Sequence, residues 1–336
     1  MFPSQNIEEL KKEFVKKKSM ALFLGSGIDM TNTYPKGEKY QLLLQNNDYK
    51  LTWDNLLTEL VNAASINNEE RKALNSFNSN TFKAAFLKQR LGESYIPIIQ
   101  NWLYTRCNRS VLLKSYEYFR QYQDQSNYLW LKEVPFGTLF AIADIILKQE
   151  SIRVVFTQNY NNFLSEAIRI LLEKNPNNYS GRRNCIPVDV YDGWKEEPFD
   201  VNHFLIYHVH GYIPPYYEMI PKKESNHIVL SDEEFYNLSR DVFSWQNVTQ
   251  LHYLTHYTCI IAGLSLDDMT MLRLLRHARL DRSSEKVYWL RGGEGSDDGR
   301  LAIQASYYES QFIHVVNDAQ GYASLYHQLM EVAKSY

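Results

Sequence analysis

Short apolar runs alternate with helical patterns along most of the chain, and each run ends in glycine or polar residues. The runs lie in residues 20–29, 151–160, 204–211, 257–268 and 286–293, with a sixth candidate at 311–316. Between them, apolar residues recur at the three- and four-residue spacing of amphipathic helices. Buried parallel strands that alternate with helices form doubly wound sheets. We therefore predict an α/β protein with a Rossmann-like doubly wound parallel sheet and large helical insertions.

The distribution of glycine and proline indicates how the chain is divided. Residues 53–150 contain few of either and are predicted to be nearly all helical. We predict a Rossmann-like core formed by residues 1–60 and 131–336, with a helical and loop insertion at about 212–256. Residues 61–130 are predicted to form a helical insertion subdomain. Segments 31–50 and 176–200 are rich in turn residues and are predicted to be loops, the first a candidate flap.

The residues that follow the predicted strands are predicted to meet at one place. They are Gly25-Ser26-Gly27, Thr157-Gln158-Asn159, His210-Gly211 and Gly263-Leu264-Ser265. In doubly wound sheets, ligands bind outside the carboxyl ends of the strands. These four groups of residues should therefore line one crevice.

The first of these turns has two interpretations. Gly25 and Gly27 would let the backbone approach a phosphate group, and a following helix would offer free N–H groups. The third glycine of the dinucleotide-binding fingerprint is absent, because position 30 is Met. An ordinary tight turn explains the two glycines equally well. Asp29 would repel a pyrophosphate, so its alternative role is to cap a helix.

The other strand ends carry groups that suit hydrogen bonding and proton transfer. The amides of Gln158 and Asn159 can bind ribose hydroxyls or a water, or serve as turn residues. His210 can act as a base near neutral pH, although a single histidine at a strand end is more often structural. Ser265 follows Gly263 in a turn that suits ribose or anion binding, or a capped helix.

Composition and charge exclude several classes of protein. The 336 residues carry a net charge of −3, which disfavours strong direct binding to nucleic acid. The three cysteines lie far apart, which argues against a four-cysteine zinc site and a disulfide framework. The longest apolar runs are much shorter than a membrane span. We expect a soluble, cytoplasmic protein that does not bind membranes.

Metal binding is the weaker interpretation of the histidines. His208 and His210 lie on one face of a predicted strand, but no third ligand follows at a diagnostic spacing. His252 and His256 have helical spacing, but position 253 is Tyr, so the glutamate of a zinc-protease motif is absent. We expect no metal cofactor.

The ordered set of motifs resembles the sirtuin family of NAD-consuming proteins. The runs FLGSGID, FTQNYNNFL, HVHG and IIAGLSLDD stand in the order of the family's four nucleotide-binding blocks. The resemblance covers about half of the chain. The family usually has Ala at position 26, Ser at position 29 and Asp at position 161, where this chain has Ser, Asp and Asn. The chain also lacks the cysteines of the zinc module found in deacylating sirtuins, so it resembles the bacterial branch used in antiphage defence.

This resemblance implies the function and the residues that carry it. It implies an NAD+ hydrolase that cleaves the nicotinamide–ribose bond, depletes NAD+ and takes it as a substrate without a metal. A homo-oligomer, a partner defence protein that senses infection, or both are the expected partners. Asn159 and His210 are the implied catalytic residues. The implied NAD+-binding residues are Gly25, Ser26, Gly27, Asp29, Thr157, Gln158, Asn161, Gly211, Gly263 and Ser265.

Two other functions stay open at this point. The same site would serve a protein deacylase or an ADP-ribosyltransferase if the acceptor were not water. A non-catalytic sensor of NAD or ADP-ribose is the alternative from a different class, in which Asp29 and Asn161 would mark a site that has lost its activity.

Overall fold

A computed structural model provides the architecture of the chain. It describes residues 3–16, 19–29, 51–123, 125, 127–182, 184–193, 203–216, 228–266, 268–280, 286–292, 303, 306–309, 311, 313–318 and 321–334. The predicted flap at 31–50 lies outside these residues. The described strands are β1 (Met20–Leu24), β2 (Ile152–Thr157), β3 (Ile186–Val190), β4 (His203–His208), β5 (Thr258–Ala262), β6 (Val287–Gly292) and β7 (Ile313–Asp318).

These strands form one seven-stranded sheet in the order β3-β4-β2-β1-β5-β6-β7. Every neighbouring pair is parallel. From β1 the chain forms β2, the edge strand β3 and then β4 on one side, and it crosses to β5 on the other side of β1. This reversal makes a crevice at the carboxyl ends of the central strands. The predicted Rossmann-like doubly wound sheet is confirmed.

Helices connect the strands and extend from the sheet. The helices that directly precede or follow a strand are α1 (Pro3–Val15), α8 (Gly137–Lys148), α9 (Phe163–Lys174), α11 (Trp245–His256), α12 (Met269–Leu280) and α13 (Tyr322–Lys334). The helices inserted between β1 and α8 are α2 (Trp53–Ala63), α3 (Asn68–Ser76), α4 (Asn80–Leu91), α5 (Tyr95–Arg106), α6 (Arg109–Tyr122) and α7 (Trp130–Glu133). One helix, α10 (Asp232–Arg240), lies in the insertion after β4.

The two faces of the sheet are buried in separate hydrophobic clusters. Successive strand residues point to opposite faces, so Met20 and Leu22 enter one cluster while Ala21 and Phe23 enter the other. The first cluster includes residues of α1, α8, α9 and α13. The second includes residues of α11 and α12. A sheet covered on both faces explains why its strands are continuous apolar runs rather than alternating ones.

The prediction of a loop over residues 176–200 is wrong for part of that segment. Residues 186–190 form β3, which pairs with β4 and lies at the edge of the sheet formed by the described strands. Pro187 cannot donate a backbone hydrogen bond, and an edge strand tolerates this because one side of it needs no partner. The proline and the short length of the strand concealed it among turn residues.

The inserted helices share the first hydrophobic cluster with the sheet. Leu60, Leu87, Trp102 and Phe119 belong to the same cluster as Leu22. The division into a core and a subdomain at 61–130 stays a prediction. No described helix is long and apolar enough to cross a membrane.

Candidate active site

A cavity of about 650 Å³ lies at the carboxyl ends of the central strands. Its volume is in the range of small-molecule and cofactor sites. Its floor is formed by residues that follow β1, β2, β4 and β5, namely Ser26, Asp29, Gln158, Asn159, Tyr160, Asn161, His210, Gly263, Leu264, Ser265 and Asp268. The predicted strand ends therefore converge on one crevice.

The roof of the cavity comes from the two insertions. Trp53 of α2, Trp102 of α5 and Phe235 of α10 line it. An ion pair between Lys88 of α4 and Glu234 of α10 joins the insertions to each other. The insertions thus enclose a site whose chemistry is supplied by the sheet.

The glycines after β1 and β5 pack directly against each other. A Cβ atom on Gly27 would lie 2.8 Å from the Cα atom of Gly263, and one on Gly25 would lie 2.5 Å from the carbonyl oxygen of Gly263. The N–H of Gly25 donates to Ala262, and the N–H of Gly27 donates to Gly263, at 3.0 Å each. Gly263 has a φ of +68°, which favours glycine. Close packing of two turns is therefore the observed use of these glycines, while Ser26 between them is exposed and faces the cavity.

Asp29 is held at the floor of the cavity by two asparagine amides. Its Oδ2 atom accepts hydrogen bonds from the Nδ2 atoms of Asn159 and Asn161, each at 2.9 Å. Asn161 is fixed in turn, because its Oδ1 atom accepts from the N–H of Phe163 at the start of α9. Asp29 is only 3% exposed, and its Oδ1 atom has no hydrogen-bond partner among the described residues. An unpartnered acceptor on a side chain that lines a cavity is suited to a donor on a ligand.

The environment of Asp29 raises its pKa to about 7. Burial is the largest cause, while the hydrogen bond from Asn161 and the charge of His208 act in the opposite direction. Asp29 therefore changes charge in the physiological range.

His210 also lines the cavity, and it is neutral at pH 7. Burial lowers the pKa of its imidazole to about 4, although the nearby carboxylate of Asp268 acts to raise it. The His210 Nε2 atom lies 3.8 Å from Asp268 Oδ2, a separation that a bound water or hydroxyl can bridge. Asp268 is fixed because it accepts from Gln158 Nε2 at 3.0 Å and from the N–H of Thr270 at 2.8 Å. A neutral imidazole beside a fixed carboxylate can accept a proton and then be stabilised as a cation.

The opposite shifts of Asp29 and His210 predict opposite effects on stability. At pH 4–6.5, folded Asp29 holds a proton that the unfolded chain releases, so its contribution to stability falls as pH rises. Folded His210 lacks a proton that the unfolded chain binds, so its contribution rises with pH. Relative to the wild type, Asp29→Asn should make the free energy of unfolding rise more steeply with pH, by up to about 1.4 kcal/mol per unit. His210→Gln should change the slope by a similar amount in the other direction.

Urea denaturation at several pH values between 4.5 and 6.5 measures these slopes. A wild-type slope in both variants would contradict the assigned shifts.

A second hydrogen-bonded group lies behind the cavity wall. The ring of His208, at the end of β4, places Nδ1 2.9 Å from the carbonyl oxygen of Asn159. Its Nε2 lies 2.8 Å from Oδ1 of Asp189 on β3, which also accepts from the hydroxyl of Ser165. His208 and Asp189 do not line the cavity. His208 therefore supports the Asn159 turn from behind.

The predicted site residues thus fall into two groups. Those that line the cavity are Ser26, Asp29, Gln158, Asn159, Asn161, His210, Gly263 and Ser265. Those that lie behind its surface are Gly25, Gly27, Thr157 and Gly211. Thr157 accepts the N–H of Asn159 at 3.0 Å, and Gly211 has a φ of +93° in the turn after His210. These residues shape the turns, and direct contact with NAD+ stays a prediction for all of the set.

Several residues that line the cavity are absent from the predicted set, and Asp268 and Trp102 are the two with polar groups that bear on the site. Asp268 stands directly before α12, where a carboxylate is the usual sign of a helix cap, and its position after a strand-end turn was the available signal. Trp102 lies in the middle of α5, about 57 residues before Asn159, and no local pattern marks it as part of the site. Its Nε1 atom is buried and has no partner among the described residues.

The fold and the cavity define an α/β protein with a candidate ligand site at the switch point of a doubly wound sheet. Comparison with known families gives the next step. Residues 153–315 match the family model of the SIR2-like domain, so the resemblance of the chain to the sirtuin family is confirmed. The match starts in β2 and ends in β7, so the Gly25-Ser26-Gly27 turn lies outside it. No curated protein matches the chain significantly.

The structure connects two of the departures from the family's motifs. The family usually has Ser at 29 and Asp at 161, and this chain has Asp29 and Asn161. Their side chains form a hydrogen bond of 2.9 Å. The carboxylate that is absent at 161 is therefore present at 29, across one hydrogen bond. The site keeps a carboxylate and changes which strand end supplies it.

Proposed function

We propose that this protein is an NAD+ glycohydrolase that uses water to release nicotinamide and ADP-ribose. SIR2-like family members are NAD-dependent enzymes, which supports the use of NAD+. The observation that carries the finer proposal is the pairing of a neutral buried His210 with the buried carboxyl group of Asp29 in one cavity. The first suits a base, and the second suits a cationic substrate.

Two buried polar atoms belong to side chains that line the cavity, and they support NAD+ as the ligand. Asp29 Oδ1 accepts hydrogen bonds, Trp102 Nε1 donates them, and neither has a partner among the described residues. A buried polar atom without a partner is costly, so both atoms favour a ligand that completes them. A primary carboxamide carries a donor and an acceptor, and the nicotinamide ring carries such a group. The residues present therefore fit this end of NAD+.

Residues on the two sides of the cavity have different roles in the proposed reaction. The bound substrate supplies a positively charged pyridinium ring, which departs as neutral nicotinamide, so no acid is needed at the leaving group. Positive charge then develops on the ribose, as in glycoside hydrolysis. Ionised Asp29 stabilises this charge, because a fixed carboxylate in a site shielded from water interacts strongly with a cation.

His210 provides the base in this scheme. Its neutral imidazole accepts a proton from the attacking water or from a ribose hydroxyl, and Asp268 stabilises the imidazolium that results. Asn159 positions Asp29 through its side-chain amide and lines the cavity beside it. Gln158 fixes Asp268 by a hydrogen bond of 3.0 Å. Among the described residues, no three His, Cys, Asp or Glu side chains are grouped as metal ligands.

We extend the proposal to the cellular role that the resemblance implies. An NAD+ hydrolase that depletes the cytoplasmic pool would act as an antiphage effector, and it needs an inactive state before infection. Self-association or a partner defence protein that senses infection is the proposed control. This extension rests on the resemblance to the bacterial defence branch, whereas the reaction rests on the site.

Nicotinamide release from NAD+, measured by chromatography with purified protein, tests the reaction. The expected result is release at one nicotinamide per ADP-ribose, with loss of activity in Asn159→Ala. An acetyl-lysine peptide should be unchanged and should not accelerate release. Release that depends on the peptide would show a deacylase. Binding of NAD+ without release, in every oligomeric state and with infected-cell extract added, would show a sensor.

A further inference from the structure

The buried group behind the cavity contains a charge that the reaction scheme does not use. His208 is 1% exposed, and its ring is enclosed by Asp189, the Asn159 turn and the ring of Tyr212 at a centroid distance of 4.7 Å. Ser165 of α9 donates to the same Asp189 oxygen that His208 faces. The group thus connects the edge strand β3, the end of β4 and the start of the β2–α9 turn.

Both ring nitrogens of His208 face oxygen atoms that accept hydrogen bonds. A main-chain carbonyl oxygen only accepts, so the Nδ1 atom that faces Asn159 must carry a hydrogen. An ionised carboxylate also only accepts, so the Nε2 atom that faces Asp189 must carry one as well. With Asp189 ionised, His208 carries two ring hydrogens and is an imidazolium cation paired with this carboxylate.

This cation is linked to both sides of the proposed active site. Its side chain holds the carbonyl oxygen of Asn159, and the side-chain amide of Asn159 holds Asp29 at 2.9 Å. Its own carbonyl oxygen accepts the N–H of Gly211 at 3.1 Å, within the turn that presents His210. One residue that does not touch the cavity therefore connects the two groups that do.

We propose that His208 and Asp189 are a positioning pair, which fixes the Asn159 turn and places a positive charge behind Asp29 that favours the ionised form of this carboxyl group. The inference rests on the proposed function, because it assigns a purpose to the negative charge in the cavity. A buried carboxylate without a compensating charge favours its protonated form. The positive charge of His208 acts against that tendency, and it does so from outside the space that the substrate fills.

Few other titratable groups in the described part of the chain surround Asp29. Cys107 is buried beside it, and the pKa of this thiol is raised mainly by burial and then by Asp29, so it stays neutral. His210 and Asp268 lie across the cavity. Tyr212 packs on the His208 ring. Within this set, His208 is the group whose charge favours ionised Asp29.

Asp189→Asn tests the pair, because an amide keeps hydrogen-bonding atoms at this position and removes the negative charge that stabilises the imidazolium. The ionisation midpoint of Asp29 should rise by at least about one pH unit, the lower end of the shift that a neighbouring charge produces. Carbon-13 NMR of aspartate-labelled protein measures it, with the resonance identified by its loss in Asp29→Asn. The acidic limb of kcat/KM for nicotinamide release should move by the same amount.

Two further variants make the result specific. Asp192→Asn removes an exposed carboxylate three residues along the chain and should leave both midpoints unchanged. His208→Gln keeps a donor for the Asn159 carbonyl without the charge, and it should raise the Asp29 midpoint as Asp189→Asn does. His208→Gln also tests the proposal if Asp189→Asn fails to fold. Folded variants that keep the wild-type Asp29 midpoint would overturn the proposal. A shifted midpoint without nicotinamide release from any form would instead overturn the proposed function and leave the pair intact.

Discussion

His210→Ala is expected to lower kcat for nicotinamide release by about 10²–10⁴-fold, the usual contribution of a general base. The imidazole is buried, neutral at pH 7 and directed into the cavity beside Asp268, and alanine supplies no group that can accept the proton. The affinity for NAD+ should change much less, because the side chain acts on the attacking group. Single-turnover measurement of nicotinamide release, together with calorimetric binding of NAD+, separates the two effects.

His256→Ala is the matched control for this experiment. His256 is exposed at the end of α11, outside the residues that line the cavity, so its removal should leave kcat unchanged. A folded His210→Ala variant with kcat within twofold of the wild type would exclude His210 as the base.

Gly25→Ala is expected to destabilise the protein in the absence of any ligand. The added Cβ atom would lie 2.3 Å from Leu264 Cδ2 and 2.5 Å from the carbonyl oxygen of Gly263. A side chain can rotate away, but the carbonyl belongs to the neighbouring turn, so the two strand ends must separate. Overpacking of this kind costs about 1–3 kcal/mol, and the backbone contact places the expected loss at the upper end. Urea denaturation of the ligand-free protein measures the free energy of unfolding.

Gly92→Ala provides the comparison, since no atom lies within 4 Å of the added Cβ and only the positive φ of +54° is strained. The loss in Gly92→Ala would come from backbone strain alone, whereas the loss in Gly25→Ala would come from overpacking against Gly263. If Gly25→Ala kept wild-type stability but lost NAD+ binding, the turn would serve the phosphates alone, and the observed packing against Gly263 would be energetically unimportant.

The sequence predicts the sheet well because both of its faces are buried. Continuous apolar runs such as 257–262 are then required, and their polar ends mark the crevice without knowledge of the fold. β3 was missed because an edge strand has fewer partners and tolerates Pro187. The strands that precede the site residues are buried on both faces, and this burial makes them recognisable in the sequence.

The site could be predicted only where its residues follow strands. Asn159 and His210 adjoin β2 and β4, so parallel topology alone brings them together. Trp102 and Phe235 reach the cavity through the packing of inserted helices, which no local pattern encodes. The sequence also could not distinguish the role of His208 from that of His210, because residues two positions apart lie on the same face of a strand. His210 lies beyond the end of β4 and lines the cavity, whereas His208 is the last residue of the strand and stays within the core.

The hydrogen bond between Asp29 and Asn161 also constrains how such a site can evolve. A lineage that transfers the carboxylate from position 161 to position 29 by single substitutions passes through a site with two adjacent carboxylates or with none. Two carboxylates at hydrogen-bond distance cannot both ionise, and a site without one lacks the negative charge. Selection against both intermediates would couple the two positions. Among relatives that keep the activity, Asp at position 29 should therefore occur with Asn at 161, and Ser at 29 with Asp at 161.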